Sequence, residues 1–135
     1  MEVVMPNIGD FLYHSTFRNR LRSIRHFGLG AKQHKSWKIS ENNVVYLSKN
    51  PEIAFSYCEA AEDVSDSVYE SGIIVLAIPL NCIDYSLLAL DSNIVGTSTE
   101  YTYRGIIEPN NCFVVTRKKG LVGGLTSIKR VPPYE

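Results

Sequence analysis

The chain has few cysteines, and their spacing suits neither a metal site nor a disulfide framework. Cys58, Cys82 and Cys112 are its only cysteines among 135 residues, and none forms a Cys-x-x-Cys pair. An odd and scattered set argues against both kinds of site. We therefore expect reduced core thiols in a cytoplasmic protein, with no bound metal.

Long apolar segments and a net charge are also lacking. The longest apolar run, Ile73 to Leu80, is too short to cross a bilayer, and residues 1–10 have neither a basic start nor a long apolar stretch. We expect no membrane association and no signal peptide. The 14 basic and 14 acidic side chains cancel, so composition predicts no bulk attraction to nucleic acid or membrane.

Charge is nevertheless distributed unevenly along the chain. Residues 18–38 contain four Arg, three Lys and two His but no acid, whereas residues 52–70 contain six acids and no base. Two solvated faces of opposite sign would account for this distribution. The alternative is a basic cleft wall that meets phosphates.

Length and apolar periodicity predict a single α+β domain over residues 1–135. The predicted elements are a strand at 11–16, a helix at 17–27 capped by Ser15 or Thr16, a strand at 44–48, a helix at 51–62 that begins after Asn50, and strands at 72–79, 87–90, 101–107 and 112–116. Residues 30–43 and 63–71 are predicted loops, and residues 120–124 a flexible hairpin or tail. This order predicts a mainly antiparallel sheet with two early helices.

Three short stretches lie where predicted strands and helices meet. They are Tyr13-His14-Ser15-Thr16, before a helix that ends in Gly28-Leu29; Val45-Tyr46-Leu47-Ser48, before a helix that carries Ser56-Tyr57-Cys58; and Thr99-Glu100-Tyr101. Together and in this order they resemble the ADP-ribosyltransferase superfamily, in particular its diphtheria-toxin and poly(ADP-ribose) polymerase branch, which has a His–Tyr–Glu triad. The resemblance spans residues 11–116 and implies the ADP-ribosyltransferase-like fold, with a split and mainly antiparallel β-sheet.

The resemblance implies a catalytic set of Glu100, His14 and Tyr46, with NAD+ as co-substrate. Glu100 would grip the ribose 2′-hydroxyl and stabilise the oxocarbenium-like state in which the nicotinamide–ribose bond breaks. Tyr46 and Tyr57 would form two aromatic walls around the nicotinamide ring. His14 would hydrogen-bond the adenosine ribose.

Further residues would complete the NAD+ site. By the same resemblance, the backbone of Ser15 would bind the nicotinamide carboxamide and Thr16 would contact ribose. Arg18 and Arg20 would assist a pyrophosphate bound near the start of the first helix, where free N–H groups favour anions. Ser48 is the candidate second donor to the carboxamide, because alanine occupies the position of the polymerases' second-helix serine.

The chain departs from the family pattern at other positions. Ser15 stands where the family often has glycine, so the turn there is expected to differ. Branches that modify arginine carry Glu or Gln two residues before the catalytic glutamate, and the chain has Ser98 there, which argues against arginine as acceptor. No counterpart of the polymerases' helical domain is found, so we expect transfer of single ADP-ribose units.

We therefore expect an NAD-dependent mono-ADP-ribosyltransferase that acts on a protein or nucleic acid. Two alternatives on the same scaffold stay open. One is an RNA 2′-phosphotransferase, in which the basic residues 18–38 would hold the 2′-phosphate, and the other is a non-catalytic module that binds NAD or nucleic acid. Small size and the lack of a regulatory domain favour a microbial or phage effector, which we expect to be a monomer.

Overall fold

A computed structural model describes residues 11–30, 44–61, 64–90, 100–118 and 121–128. Seven antiparallel strands within these ranges form one sheet, and few helices accompany it, so the α+β prediction is confirmed. The strands are β1 (Phe11–Phe17), β2 (Val45–Ser48), β3 (Ile73–Pro79), β4 (Leu88–Leu90), β5 (Glu100–Tyr103), β6 (Phe113–Lys118) and β7 (Leu121–Ser127). The α-helices are α1 (Leu21–Phe27), α2 (Pro51–Glu59) and α3 (Asp66–Glu70). None of these helices has the length and apolar character needed to span a membrane.

The sheet consists of two halves that meet at its centre. Its order is β4-β5-β2-β1-β3-β6-β7. Strand β1 is in register with β3 from Phe11 opposite Pro79 through Phe17 opposite Ile73, along its whole length. On its other side β1 shares a single register pair with β2, Tyr13 opposite Ser48. No further register pair is described between these two strands, and we call the unpaired stretch between residues 14–17 of β1 and 45–47 of β2 the central gap.

Apolar side chains cover both faces of the sheet. Alternate residues of a strand point to opposite faces. One face packs against α1 and includes Leu12, Leu47 and Leu76, whereas the other packs against α2 and includes Tyr13 and Ala77. Strand β3 contributes to both cores, which explains why its sequence is a continuous apolar run rather than an alternating one.

Helix α2 begins where the sequence predicts. The Asn50 side chain caps it, accepting hydrogen bonds from the backbone N–H groups of Glu52 (2.8 Å) and Ile53 (3.3 Å). Ala54 and Cys58, four residues apart, are buried on its inner face. The helix ends at Glu59 rather than near residue 62.

The first helix begins later than predicted. Phe17 belongs to β1 and is fully buried, because it continues the alternating pattern of Phe11 and Tyr13 on one face. Its ring centroid lies 5.5 Å from that of Tyr69. A 3-10 turn over Arg18–Arg20 follows, and α1 starts at Leu21. Ser15 and Thr16 are therefore buried strand residues and not helix caps.

Two other segments differ from the prediction. The expected loop at 63–71 contains α3, which Ser65 caps by accepting a hydrogen bond from the Val68 N–H at 3.4 Å. Of the expected flexible hairpin or tail at 120–124, residues 121–124 belong to β7, which pairs antiparallel with β6 from Phe113 opposite Ser127 onward. The predicted loop residues 31–43, and Ser98, lie outside the described residues.

Candidate active site

Three side chains form a row across the central strands. Tyr13 on β1 is in register with Ser48 on β2, and Ser48 is in register with Glu100 on β5. Side chains in such a row share one face of the sheet. This is the face that α2 covers, because Tyr13 packs in the same cluster as Ala54. The row thus places Glu100 beneath α2, one strand away from β1 and level with the pair that precedes the central gap.

The carboxylate of Glu100 is buried and held at both oxygens. Its side chain is 2% exposed. The Ser48 hydroxyl donates to Oε2 at 2.8 Å, and the Tyr57 hydroxyl donates to Oε1. A buried carboxylate without such donors would be strongly destabilising. The two hydroxyls therefore fix the orientation of Glu100 before any ligand binds.

The turn between β2 and α2 brings both donors to this carboxylate. Ser48 is the last residue of β2, and its Oγ also accepts the backbone N–H of Asn50 at 3.0 Å. Asn50 then caps α2, which returns across the sheet and carries Tyr57 in its last turns. Ser48 and Tyr57 thus reach one carboxylate because a capped helix follows the strand directly.

His14 lies across the central gap. Its Nδ1 is 2.9 Å from the backbone carbonyl oxygen of Tyr46 on β2. The pKa of His14 is lowered to about 4, chiefly by burial; the carbonyl of Tyr46 opposes this effect, and the nearby charge of Arg20 adds to it. The ring is therefore neutral near pH 7. A carbonyl only accepts hydrogen bonds, so the proton lies on Nδ1, and Nε2 is left as an acceptor.

The backbone of Ser15 is directed into the same gap. The bond to His14 shows that the Tyr46 carbonyl faces β1, and residues two apart on a strand direct their N–H and C=O groups to the same edge. The backbone groups of Ser48 therefore also point toward β1, and those of Tyr13 and Ser15 point toward β2. At Ser15, β2 no longer pairs with β1. No residue of β2 is described as the register partner of Ser15. Its N–H and C=O form a donor and acceptor pair of the kind that binds an amide.

The side chain of Ser15, unlike its backbone, is enclosed by protein. Its hydroxyl is buried and, among the described residues, makes no hydrogen bond of ordinary geometry. Burial raises the pKa of the Cys58 thiol, and the Ser15 hydroxyl and the charge of Arg20 only oppose that rise. Ala54 is also fully buried beneath the sheet. Ser15 of β1 and Ala54 of α2 stand where the family that the sequence resembles has Gly and Ser. Both are buried where α2 packs on the sheet.

The structure brings some of the predicted site residues together and separates others. Glu100, Ser48 and Tyr57 form one hydrogen-bonded group, and Tyr46 shares the Ser48 face by strand alternation. His14 alternates with Tyr13 along β1, so its side chain leaves the strand on the face opposite to Glu100; its Nδ1 reaches the Tyr46 carbonyl, and Arg20 acts on it electrostatically.

Thr16 and Arg18 lie elsewhere. Thr16 is opposite Ile74, on the face that packs against α1, away from the Glu100 face. Arg18 follows the end of β1, where its backbone N–H donates to the Gly72 carbonyl at 2.8 Å. Arg18 and Arg20 both lie in the 3-10 turn that precedes α1 rather than in its first turn.

The site has no metal-binding character in the described part of the chain. No group of three or more His, Cys, Asp or Glu side chains is close enough there to hold a metal ion.

Comparison with models of protein families, with curated proteins and with solved structures gives no match for this chain. Any assignment of function therefore rests on the residues of the site and their geometry.

Proposed function

We propose that this chain is an NAD-dependent mono-ADP-ribosyltransferase that uses Glu100 to contact the ribose of NAD+. The observation that carries the proposal is a buried carboxylate, oriented at both oxygens, one strand away from the point at which β1 and β2 cease to pair and the neutral ring of His14 contacts the Tyr46 carbonyl. His14 and Tyr46 border the central gap, and Glu100 lies on the next strand, beyond Ser48. This arrangement supports the ADP-ribosyltransferase-like fold that we propose.

Glu100 would act on the bond between nicotinamide and ribose. As the C1′–N bond breaks, its electron pair leaves with nicotinamide and positive charge develops on the ribose. A carboxylate already oriented toward the 2′-hydroxyl stabilises that charge without reorganising. A nucleophile of the acceptor then bonds to C1′ and loses its proton to water. One ADP-ribose unit is transferred in this way.

The neighbouring groups suit the rest of the dinucleotide. His14 Nε2 can accept a hydrogen bond from a hydroxyl of the adenosine ribose, because its proton lies on Nδ1. The backbone of Ser15 offers both a donor and an acceptor to the carboxamide. Tyr46 and Tyr57 supply partly exposed aromatic rings near Glu100. Arg20, which acts on His14 electrostatically, is the candidate cation for the pyrophosphate.

The acceptor is proposed only by class, as a protein or nucleic acid. The role we propose with it is that of a phage or microbial effector that modifies a component of its host. Mass spectrometry of cell lysate after expression would identify a product that carries one added ADP-ribose.

Nicotinamide release from NAD+ by the purified protein tests the proposal. We expect Glu100→Gln to lower the rate by about 10²–10³-fold, as loss of a preorganised electrostatic group does. Glutamine keeps the size of the side chain, and circular dichroism would verify the fold. Glu108→Gln, at an exposed acid, is the matched control and should leave the rate unchanged. A Glu100→Gln protein that retains more than a tenth of the activity would refute the role of Glu100.

A parallel assay separates the main alternatives. An oligonucleotide with an internal 2′-phosphate, incubated with NAD+, would lose that phosphate only if the chain is an RNA 2′-phosphotransferase. Calorimetry that shows NAD+ affinity without turnover would instead indicate a non-catalytic binding module.

A further inference from the structure

The two hydroxyls that hold Glu100 differ in how firmly they are held. Ser48 is fully buried within the sheet, and the Asn50 N–H fixes its oxygen at 3.0 Å. Tyr57 projects from a helix, is only partly buried, and reaches Oε1 with the end of a long side chain. Rotation about the Cα–Cβ bond of Tyr57 would withdraw its hydroxyl by several ångströms, whereas Ser48 has no comparable freedom.

The two hydroxyls also imitate a substrate. One carboxylate that receives two O–H donors, one at each oxygen, has the hydrogen bonds that a ribose 2′,3′-diol would supply. Each carboxylate oxygen can accept two hydrogen bonds, but Glu100 is 2% exposed, so a ribose hydroxyl has little open surface by which to approach it. If ribose binds Glu100, as the proposed function requires, its hydroxyl takes the place of one of the two protein hydroxyls. The oxygen that can be vacated is Oε1, because its donor is the movable one.

We propose that the Tyr57 hydroxyl is a latch that occupies Glu100 in the substrate-free protein and is displaced when ribose binds. The hydroxyl therefore opposes ribose binding, while the Tyr57 ring remains available as a wall for nicotinamide. Ser48 keeps its bond to Oε2 in both states and orients the carboxylate for the reaction. Tyr57 and Ser48 thus have opposite effects on the same carboxylate.

Binding of ADP-ribose measures the latch without any chemical step. ADP-ribose has the ribose hydroxyls but no nicotinamide, so the aromatic wall does not contribute to its affinity. Because hydrogen bonds to charged groups are among the stronger ones, we expect Tyr57→Phe to bind ADP-ribose about three- to tenfold more tightly than the wild type by calorimetry. Tyr57→Leu should also bind it more tightly, since it too lacks the hydroxyl, and it serves as the second variant if Tyr57→Phe does not fold.

Steady-state kinetics with NAD+ separate the latch from a merely structural role. Tyr57→Phe should lower KM about three- to tenfold and leave kcat within about threefold, whereas Ser48→Ala should lower kcat about 10- to 100-fold with a smaller effect on KM. Tyr57→Leu should raise KM for NAD+, because the ring wall is lost. Tyr69→Phe removes another tyrosine hydroxyl that donates to a protein oxygen, the Glu59 carbonyl, and should change neither constant.

The outcomes for the latch and for the proposed function are distinct. Equal or weaker ADP-ribose binding by Tyr57→Phe, or no binding by either protein, would overturn the latch whatever the turnover. A fall in kcat at constant KM would also overturn it and make Tyr57 an orienting group. Tighter ADP-ribose binding by Tyr57→Phe together with no nicotinamide release by the wild type would support the latch and refute the transferase.

Discussion

The stability of the fold should fall as pH falls through the range in which His14 would otherwise be protonated. The pKa of His14 is about 4 in the folded protein, against an ordinary value of 6.5. Between these values the unfolded chain binds a proton that the folded protein does not, so the free energy of unfolding decreases with decreasing pH. Above pH 6.5 the ring is neutral in both states, and below about pH 4 it is protonated in both, so the dependence is confined to that window.

The magnitude follows from the difference between the two pKa values. Each pKa unit corresponds to 1.36 kcal/mol, so the full effect has an upper limit of about 3 kcal/mol. The ring retains some contact with solvent, which makes 1–2 kcal/mol, roughly, the more realistic loss. Urea unfolding at several pH values between 4 and 7.5 would measure it in the wild type and in His14→Gln. Glutamine can still donate to the Tyr46 carbonyl but does not titrate.

His26 provides the matched control for this experiment. It is an exposed histidine on α1, and His26→Gln should retain the pH dependence of the wild type. His14→Gln should lose the part assigned to the buried ring. If His14→Gln and the wild type lose the same free energy between pH 6.5 and 4, the ring is not the group responsible and its assigned environment is wrong.

Two further substitutions test how the chain supports the site. Gly28 has φ +92°, and an added Cβ would lie 2.9 Å from the Ile107 carbonyl oxygen, so Gly28→Ala should destabilise the fold by about 2 kcal/mol or more. Gly72→Ala, at φ +102° without such a contact, should destabilise it less. Equal losses of stability in thermal unfolding would contradict the steric reason. Asn50→Ala should lower the free energy of unfolding by about 1 kcal/mol, because it removes the α2 cap. Asn50→Asp keeps a capping oxygen and should retain most of the stability in the same assay. Equal effects of the two substitutions would show that the cap is unimportant.

Local sequence signals predict the elements whose causes are local. The Asn50-Pro51 pair marks the start of α2, and the continuous apolar run at 73–79 marks a strand buried on both faces. The start of α1 could not be predicted in this way. Phe17 fits a helical apolar stripe equally well, and only its pairing with Ile73 on a distant strand assigns it to β1. Likewise, Gly123 and Gly124 indicate a flexible segment until pairing with β6 makes them part of a strand.

The candidate site shows the same division. Its residue types are recognisable from three short stretches, but the bonds that Ser48 and Tyr57 make to Glu100 depend on strand register. A shift of one residue between β2 and β5 would turn Ser48 to the opposite face and leave Oε2 without this donor. Register arises from pairing between residues 52 positions apart. For this reason the sequence predicts Ser48 as a site residue without indicating that its partner is the carboxylate.

The central gap itself depends on one side chain that replaces a backbone contact. If β1 and β2 continued to pair beyond Tyr13 and Ser48, the Tyr46 carbonyl would accept the N–H of Ser15. His14 Nδ1 occupies that carbonyl instead, at 2.9 Å, so the carbonyl is satisfied while the strands stay apart. The ring donates to the carbonyl as long as Nδ1 carries its proton, and burial keeps the ring neutral near pH 7. The side chain whose burial makes stability sensitive to acid therefore also satisfies the Tyr46 carbonyl where β1 and β2 do not pair.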